Sequence, residues 1–218
     1  MKNLTKILLI SPLFFISSCE EEGPIHGCLD SQVLNYNPQA SINNNSCEYL
    51  ELGAITEGGI VFYLDETGVH GLVAALEDLT EGATISPYNE GIVGYEWGCY
   101  NENVIGADGI TLGTGYNNTV DIVNYGCETE EVGITAAQAA LDAEINGYSD
   151  WYLPSIDELS EIHNMEIIVT ENAYSWYWSS SEMDNSVASC LEVYDDFSAY
   201  VTGYYKFGHG RVRVIRAF

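Results

Sequence analysis

The sequence predicts an α+β fold for residues 52–218, because apolar runs typical of strands lie at both ends of this region and two helix patterns lie between them. Gly59–Leu64 and Gly71–Leu76 are short apolar runs flanked by turn residues, which indicates two paired strands. Asp65–Gly68 supplies the connecting turn. Further strands are predicted around residues 176–180, 189–194, 199–204 and 211–218.

Two segments in the middle of this region have the pattern of helices. Ile134–Ile145 is rich in alanine, has Thr135 as a candidate N-cap and is followed by Asn146-Gly147, which favours a helix end. A second helix is expected to begin at Ser155–Glu158, whose sequence is that of a capping box.

Residues 82–127 are rich in Gly, Asn and Tyr and show little periodicity, so they are expected to form long ordered loops. Ordered loops of this length often carry function. Aromatic rings beside amides and carboxylates suit the recognition of sugar hydroxyls. The sequence therefore predicts a ligand-binding surface within these loops, on residues 86–126. Its candidate residues are Tyr88, Tyr95, Trp97, Tyr100 and Tyr116.

Residues 1–18 have the layout of a secretory signal: a basic start, a short apolar run and small residues. Ile16–Cys19 resembles the lipobox of bacterial lipoproteins, which implies cleavage before Cys19 and a diacylglycerol on its thiol. Glu20–Glu22 resembles the acidic tract that directs some lipoproteins to the outer face of the outer membrane. We therefore expect a lipid-anchored outer-membrane protein exposed at the surface, with residues 19–27 as a tether. The alternative for Cys19 is an incidental cysteine after an ordinary signal peptide.

The distribution of charge excludes two classes of partner. The chain has 33 acidic and 6 basic residues, and its net charge of -27 becomes -29 if Lys2 and Lys6 leave with the signal. Residues 20–205 contain neither Lys nor Arg. This charge repels nucleic acid and anionic lipid surfaces and favours divalent cations, basic peptides or neutral polar ligands. Solubility alone is the alternative explanation.

Five cysteines remain when Cys19 is assigned to lipid, so at least one thiol stays outside intramolecular disulfides. Cys28 and Cys47 bracket a segment too short to form its own core, and a disulfide between them is expected to staple a module of residues 28–50. Cys99 with Cys127 is the second expected pair, which leaves Cys190. Spacing alone leaves the connectivity open.

The stapled module resembles a short Cys-bounded repeat found in exported bacterial surface proteins. In that repeat, positions equivalent to Asn43–Asn45 are often Asp, and a calcium role has been suspected. Neutral Asn side chains lack the charge that holds a hard cation, so calcium is not expected in this module and a structural stalk is favoured.

Four segments of the larger region resemble the Lcl C-terminal-domain family of exported bacterial proteins. They are Gly58–Phe62, Gly147–Leu159, Tyr177–Glu182 and Val212–Phe218. The resemblance covers roughly residues 52–218 and implies a C-type-lectin-like topology, related to the formylglycine-generating-enzyme fold, with paired N- and C-terminal strands. The collagen-like adhesin of this family binds sulfated polysaccharide as a trimer. A sulfated ligand requires cations that residues 20–205 do not supply.

Glu182, Asp184 and Asn185 follow a run of serines and offer three close oxygen donors, which makes them candidate calcium ligands. Calcium is the only cofactor that the sequence suggests. The alternative is an ordinary acidic turn.

Motifs for catalysis are not evident: the histidines lack metal-ligand spacing, and the sequence has neither a Gly-x-Ser-x-Gly elbow nor a phosphate loop. The main hypothesis is a surface-anchored module that binds a glycan or another polar extracellular ligand. The alternative is a structural or adhesive lipoprotein that contacts protein partners, including further copies of itself. An enzyme related to the formylglycine-generating fold is third. Trp151, Leu153, Trp176 and Trp178 are expected to be core anchors rather than sugar platforms.

Overall fold

A computed structural model of the chain describes residues 23–31, 33, 35–87, 93–131, 133–168, 175–194 and 196–218. The predicted lipidation site Cys19 and the candidate ligand residue Tyr88 lie outside these ranges. The chain divides into two compact units, one of Met1–Ser31 with Asn35–Cys47 and the other of Gln32–Leu34 with Glu48–Phe218. None of the described helices is both long enough and apolar enough to cross a membrane.

The first unit is a small stapled module. Strands β1 (His26–Gly27) and β2 (Ile42–Asn43) pair in parallel. A disulfide joins Cys28 to Cys47, which confirms the first predicted pair. With so short a chain, the cross-link supplies stability that apolar burial cannot.

The described residues of the second unit form three antiparallel sheets. Its described strands are β3 (Ile55–Thr56), β4 (Gly59–Leu64), β5 (Gly71–Ala74), β6 (Thr84–Ile85), β7 (Val93–Gly94), β8 (Ser175–Glu182), β9 (Val187–Val193), β10 (Ala199–Tyr205) and β11 (Ile215–Ala217). Its described helices are α1 (Gly115–Tyr125), α2 (Ala136–Leu141) and α3 (Ile156–Asn164). The strand orders are β11-β5-β4-β3, β10-β9-β8 and β6-β7.

The prediction of an α+β fold with a C-type-lectin-like topology is wrong. Across the described residues the chain forms eleven strands in four sheets, and its three helices have only 11, 6 and 9 residues. The structure is therefore mainly β. The pattern of Ile134–Ile145 overstates the helix, because α2 ends at Leu141 and Ile145 is held in a tight turn by hydrogen bonds to Tyr148.

Several individual elements agree with their predictions. Strands β4 and β5 pair through the Asp65–Gly68 turn, where the Asp65 carboxylate accepts the N–H groups of Thr67 and Gly68, each at 3.0 Å. Thr135 caps α2, and Ser155 begins α3 with a complete capping box. The second predicted disulfide, Cys99–Cys127, is also present, while Cys190 is a buried free thiol.

The core is built on large aromatic side chains. Trp151, Trp176 and Trp178 are fully buried, as is Leu153, which confirms that they are core anchors. The indole N–H of Trp178 donates to the carbonyl of Tyr95 at 2.8 Å, so this polar atom is satisfied inside the core.

Three of the four C-terminal cations are buried and paired. Lys206 is fully buried, forms an ion pair with Glu182 and lies 4.7 Å from the centre of the Trp97 ring. The Arg213 guanidinium pairs with Asp78 at 2.7 Å. Because isolated buried charges are costly, each cation is matched by a carboxylate of the acidic body.

Candidate functional site

The predicted ligand-binding aromatics do not form one surface. Tyr95 and Trp97 are buried, with 1% and 0% of their surfaces exposed, so their burial contradicts the prediction that they stack on a ligand. The Tyr95 hydroxyl donates to the carbonyl of Glu81 at 2.7 Å, and the Trp97 indole donates to the carbonyl of Ser179 at 2.9 Å. Both side chains act as structural anchors.

Tyr100 and Tyr116 remain accessible but belong to different aromatic groups. Tyr100 meets Phe207 edge-on, with ring centroids 4.8 Å apart. Tyr116 is half exposed and meets Tyr152 edge-on at 5.7 Å. Tyr100 and Tyr116 therefore do not form a common binding surface with each other or with Tyr95 and Trp97.

The candidate calcium ligands are engaged by neighbouring groups. Both oxygens of Glu182 accept the N–H of Val104, at 2.9 and 3.1 Å. Oδ1 of Asp184 accepts the N–H groups of Ser186 and Val187, at 2.7 and 2.8 Å, and so shapes the β8–β9 turn. The side-chain oxygen of Asn185 bonds the Ser186 hydroxyl at 3.0 Å. In the described ranges no group of three or more His, Cys, Asp or Glu side chains is placed to hold a metal, and calcium stays a prediction.

The second unit carries a cleft. It consists of two cavities of about 470 and 380 Å³ that share Leu79, Glu81 and Ile145. We call this surface the acidic cleft. Its other lining residues are Ala75, Leu76, Glu77, Asp78, Thr80 and Gly82 on one wall, and Ile134, Ala139, Asp142, Ala143, Glu144 and Asn146 on the other.

The first wall is held in place by the segment that precedes β11. The N–H groups of Ala75 and Leu79 donate to the carbonyls of Val214 and Val212, both at 2.9 Å. The guanidinium of Arg213 adds hydrogen bonds to the carbonyls of Ala75 and Leu76, at 3.0 and 3.1 Å. These contacts fix the wall although it has no regular secondary structure.

The second wall consists of α2 and the turn that follows it. The alanines of α2 are mostly buried, and small side chains allow the helix to pack closely on the core. Asn146 and Gly147 both have positive φ, 53° and 86°, in the tight turn from Ile145 to Tyr148. This is the Asn-Gly pattern that such turns favour. The Asn146 amide also donates to the carbonyl of Gly58 at 2.8 Å, which anchors the turn.

The rim of the cleft carries a surplus of negative charge. Asp78 is neutralised by Arg211 and Arg213, at 3.3 and 2.7 Å. The other four rim carboxylates are exposed, and none of the residues lining the two cavities is basic. They are Glu77, Glu81, Asp142 and Glu144. The floor, formed by Leu79 and Ile145, is aliphatic and half-buried, so the cleft suits a ligand that combines positive charge with apolar groups.

Two smaller cavities continue the acidic surface beyond the cleft. One of about 370 Å³ shares Ile134 with the cleft and adds Glu128 and Glu131. The next, about 210 Å³, shares Glu131 and reaches Tyr100. The linking loop is positioned by the buried carboxylate of Glu96, which accepts the N–H groups of residues 130 and 131 at 2.8 and 3.2 Å. Burial raises the pKa of Glu96.

Comparison with known proteins does not assign the chain to a family. No protein-family model matches it, and no curated protein is significantly similar. Among solved structures, it is similar to a fimbrial protein from Bacteroides ovatus with 15% identity and a TM-score of 0.48 over 83% of this chain. The match covers 50% of that protein, so the chain spans about half of its length. Similarity at this level carries no conclusion about fold or role, and the resemblance to the Lcl family stays a prediction.

The sequence predicts the ligand-binding surface on residues 86–126, whereas the cleft is formed by residues 75–82 and 134–146. One signal for it is present in the sequence: Glu77, Asp78 and Glu81 follow directly after a predicted strand, where loops often carry function. The opposite wall offers no such signal, because its carboxylates Asp142 and Glu144 fall inside the expected helix.

Proposed function

We propose that this chain is an exported protein-interaction module whose acidic cleft binds a basic segment of a partner protein. The observation that carries the proposal is the continuous cleft with an aliphatic floor and a rim of exposed carboxylates. A peptide segment with Lys or Arg beside aliphatic residues matches both features. The absence of Lys and Arg from residues 20–205 supports the same class of partner.

The geometry favours a protein ligand over a glycan. Sugar sites usually provide aromatic faces, whereas Tyr95 and Trp97 are buried and none of the described residues that line the two cavities of the cleft is aromatic. A neutral sugar gains little from the rim charges, and a sulfated one is repelled by them. The predicted signal peptide and the predicted lipid on Cys19 would place the cleft outside the cytoplasm, tethered at the outer membrane.

Peptide binding by a secreted, lipid-free form carrying Cys19→Ser tests the proposal. The probe is a short fluorescent peptide of alternating Lys and Leu, followed by fluorescence anisotropy. Glu81→Gln combined with Glu144→Gln is expected to weaken binding about 3- to 10-fold, because each exposed charge pair contributes roughly 0.2–1 kcal/mol. Binding is also expected to weaken as salt screens the rim.

A matched variant separates the cleft from the general negative field of the protein. Glu51→Gln with Glu66→Gln removes two exposed carboxylates that do not line the cleft, and its affinity is expected to stay near that of the parent. A peptide with Ser in place of Leu is expected to bind more weakly, because it cannot use the aliphatic floor. Equal losses in the two double variants would rule out the cleft as the binding site.

A further inference from the structure

Among the strands that the structure describes, β10 lies at an edge of its sheet and pairs only with β9. The register between them runs without interruption from Ala199 opposite Val193 to Tyr205 opposite Val187. Hydrogen bonds flank this ladder at Tyr194 N to Ser198 O and at Lys206 N to Ser186 O. Because backbone direction alternates in antiparallel pairs, the even-numbered residues of β10 bond to β9 and the odd-numbered ones point outward.

The outward backbone groups are available for pairing. The N–H groups of Ala199, Val201 and Gly203 have no hydrogen-bond partner in the part of the chain that the structure describes. The opposite edge of the same sheet is different: the N–H groups of Trp178 and Ser180 in β8 donate to the carbonyls of Arg211 and Pro154, at 3.0 and 2.7 Å. One edge is thus capped by the chain itself, while the other is open as far as the described residues extend.

The side chains of β10 do nothing to protect this edge. Proteins usually blunt an open edge with charged residues, proline or a bulge, and the sequence Ala-Tyr-Val-Thr-Gly-Tyr-Tyr has none of these. Tyr200, Val201 and Tyr205 are 61, 59 and 52% exposed. Phe197 and Met183 nearby are each 60% exposed, so the edge is bordered by apolar surface. Such a strand is a template for pairing with another strand.

We propose that β10 pairs antiparallel with β10 of a second copy of this chain, which joins two three-stranded sheets into one of six strands. A two-fold axis at Thr202 places Val201 opposite Gly203 of the second copy, and the outward backbone groups of both strands then face each other. The side chains of Met183 and Val187 cover Gly203, so Val201 meets an apolar surface. An isologous contact of this kind closes on itself as a dimer.

The lack of charge on β10 and its self-complementary register about Thr202 favour a second copy as the occupant. Two chains that are each strongly acidic repel, so they can approach only where carboxylates are absent, and β10 is an uncharged strip. The antiparallel arrangement also separates the acidic turn at the start of the strand, because it sets Asp196 beside Gly208 of the other copy. A parallel arrangement would set the two Asp196 carboxylates against each other. A basic partner gains no charge pair at this edge.

The contact is expected to be weak and to respond to salt. Seven residues at about 3.4 Å each make a short strand, and its interface falls below about 1,200 Å², the range of transient complexes. Salt screens the repulsion between the acidic bodies, so dimerisation should tighten as salt rises. Peptide binding at the acidic cleft is expected to weaken as salt rises, whereas dimerisation is expected to tighten. The experiments can therefore support or contradict the dimer and the peptide site independently.

Sedimentation velocity of the lipid-free chain tests the dimer. The expected result is a monomer–dimer equilibrium whose dimer fraction rises between about 0.05 M and about 0.5 M NaCl. Val201→Pro removes an outward N–H at a position where an edge strand tolerates proline, and the symmetric dimer loses two hydrogen bonds. Its dimerisation constant is expected to fall at least about fivefold.

Val201→Thr is the matched control, because it keeps the backbone N–H and is expected to dimerise within about threefold of the parent. Val201→Glu, on the exposed side of the strand, is a second disrupting variant if the proline variant does not fold, and it is expected to be monomeric. A parent that is monomeric at every salt concentration, association that weakens with salt, or equal dimerisation of the Thr and disrupting variants would each overturn the proposal.

Discussion

A single guanidinium, that of Arg216, ties three segments of the second unit together. Its Nε and Nη2 donate to the two carboxylate oxygens of Asp150, at 2.7 and 3.1 Å. Its Nη1 donates to the carbonyl of Glu57 at 2.9 Å, and the Tyr148 ring lies 4.0 Å from the guanidinium carbon. The hydrogen bond from Arg216 lowers the pKa of Asp150.

Asp150→Asn is expected to lower the free energy of unfolding at pH 7 by about 1–2 kcal/mol, because a buried guanidinium loses the nearer of its two carboxylate partners and keeps only Glu57, while Asp150 itself is half exposed. The folded pKa of Asp150 is lowered, so its contribution is present above its unfolded value of about 3.9 and is lost as pH falls through the folded pKa. Urea unfolding should therefore show the difference from the parent shrinking below about pH 4.

Asp108→Asn is the matched substitution at an exposed position, with an expected change below about 0.5 kcal/mol. A loss at Asp150 no larger than this, or one that does not change with pH, would contradict the role given to the ion pair.

At the scale of single residues, sequence reasoning predicts the type of partner but not its identity. A chain with 33 acidic and 6 basic residues offers Arg211 and Arg213 many carboxylates, and in the structure both pair with Asp78. The choice of Asp78 depends on contacts across more than 130 positions, which composition cannot reveal. The aromatic candidates Tyr95 and Trp97 show the same limit, because a large ring is equally suited to a core and to a ligand surface.

Among the elements, α3 shows how a local signal fixes one end of a helix. The Ser155 hydroxyl accepts the N–H of Glu158 at 3.3 Å and donates to the carbonyl of Thr111 at 3.0 Å. The Glu158 carboxylate accepts the N–H of Ser155 at 2.7 Å and that of Gly113 at 2.9 Å. The cap thus also joins the helix to the 111–113 segment.

Ser155→Ala is expected to cost about 1–2 kcal/mol of unfolding free energy, because the first turn of α3 loses its cap. Ser160→Ala is the comparison within the same helix. Its hydroxyl bonds the Ile156 carbonyl at 2.8 Å, a bond that adds little to a helix, so a change within about 0.5 kcal/mol is expected. Urea denaturation measures both, and equal effects would show that the cap is not what stabilises the helix start.

Helix starts are predictable here because capping is local, whereas helix ends and unusual helices are not. The starts of α2 and α3 follow their caps, Thr135 and Ser155. Helix α1 is missed, since Gly115–Tyr125 contains Gly, Asn and β-branched residues of low helix propensity. Its N-cap residue Thr114 makes no side-chain cap hydrogen bond, and tertiary packing of Thr119 and Ile122 holds the helix instead.

For the molecule as a whole, the free thiol of Cys190 reports on global unfolding. It is buried in the core, and burial raises its pKa to about 12. The thiolate is the reactive form, so the folded Cys19→Ser protein is expected to resist Ellman's reagent at pH 8 and to react as one thiol when denatured without reductant. Cys190→Ser should abolish the signal. Rapid reaction of the native protein would show that this part of the core opens easily.

The acidic cleft illustrates what a sequence cannot supply at this scale. The charge balance alone predicts attraction of cationic ligands, and that expectation carries over to the proposal. The location depends on residues 75–79 being held by residues 212–214, and on helix α2 ending at Leu141, before the expected end at Ile145. The contacts between residues 75–79 and residues 212–214 are long-range, and a single sequence does not show which distant segments meet.

The positions of the basic residues near the end of the sequence determine where proteases of the trypsin type can cleave this protein. Enzymes of the trypsin type require Lys or Arg at the cleavage point, and residues 20–205 offer none even when the chain unfolds. Four basic residues lie in residues 206–218. Lys206, Arg213 and Arg216 are buried in ion pairs, so Arg211, which is partly exposed, is the accessible cleavage point of the four. Cleavage after Arg211 would leave residues 20–211 in one piece.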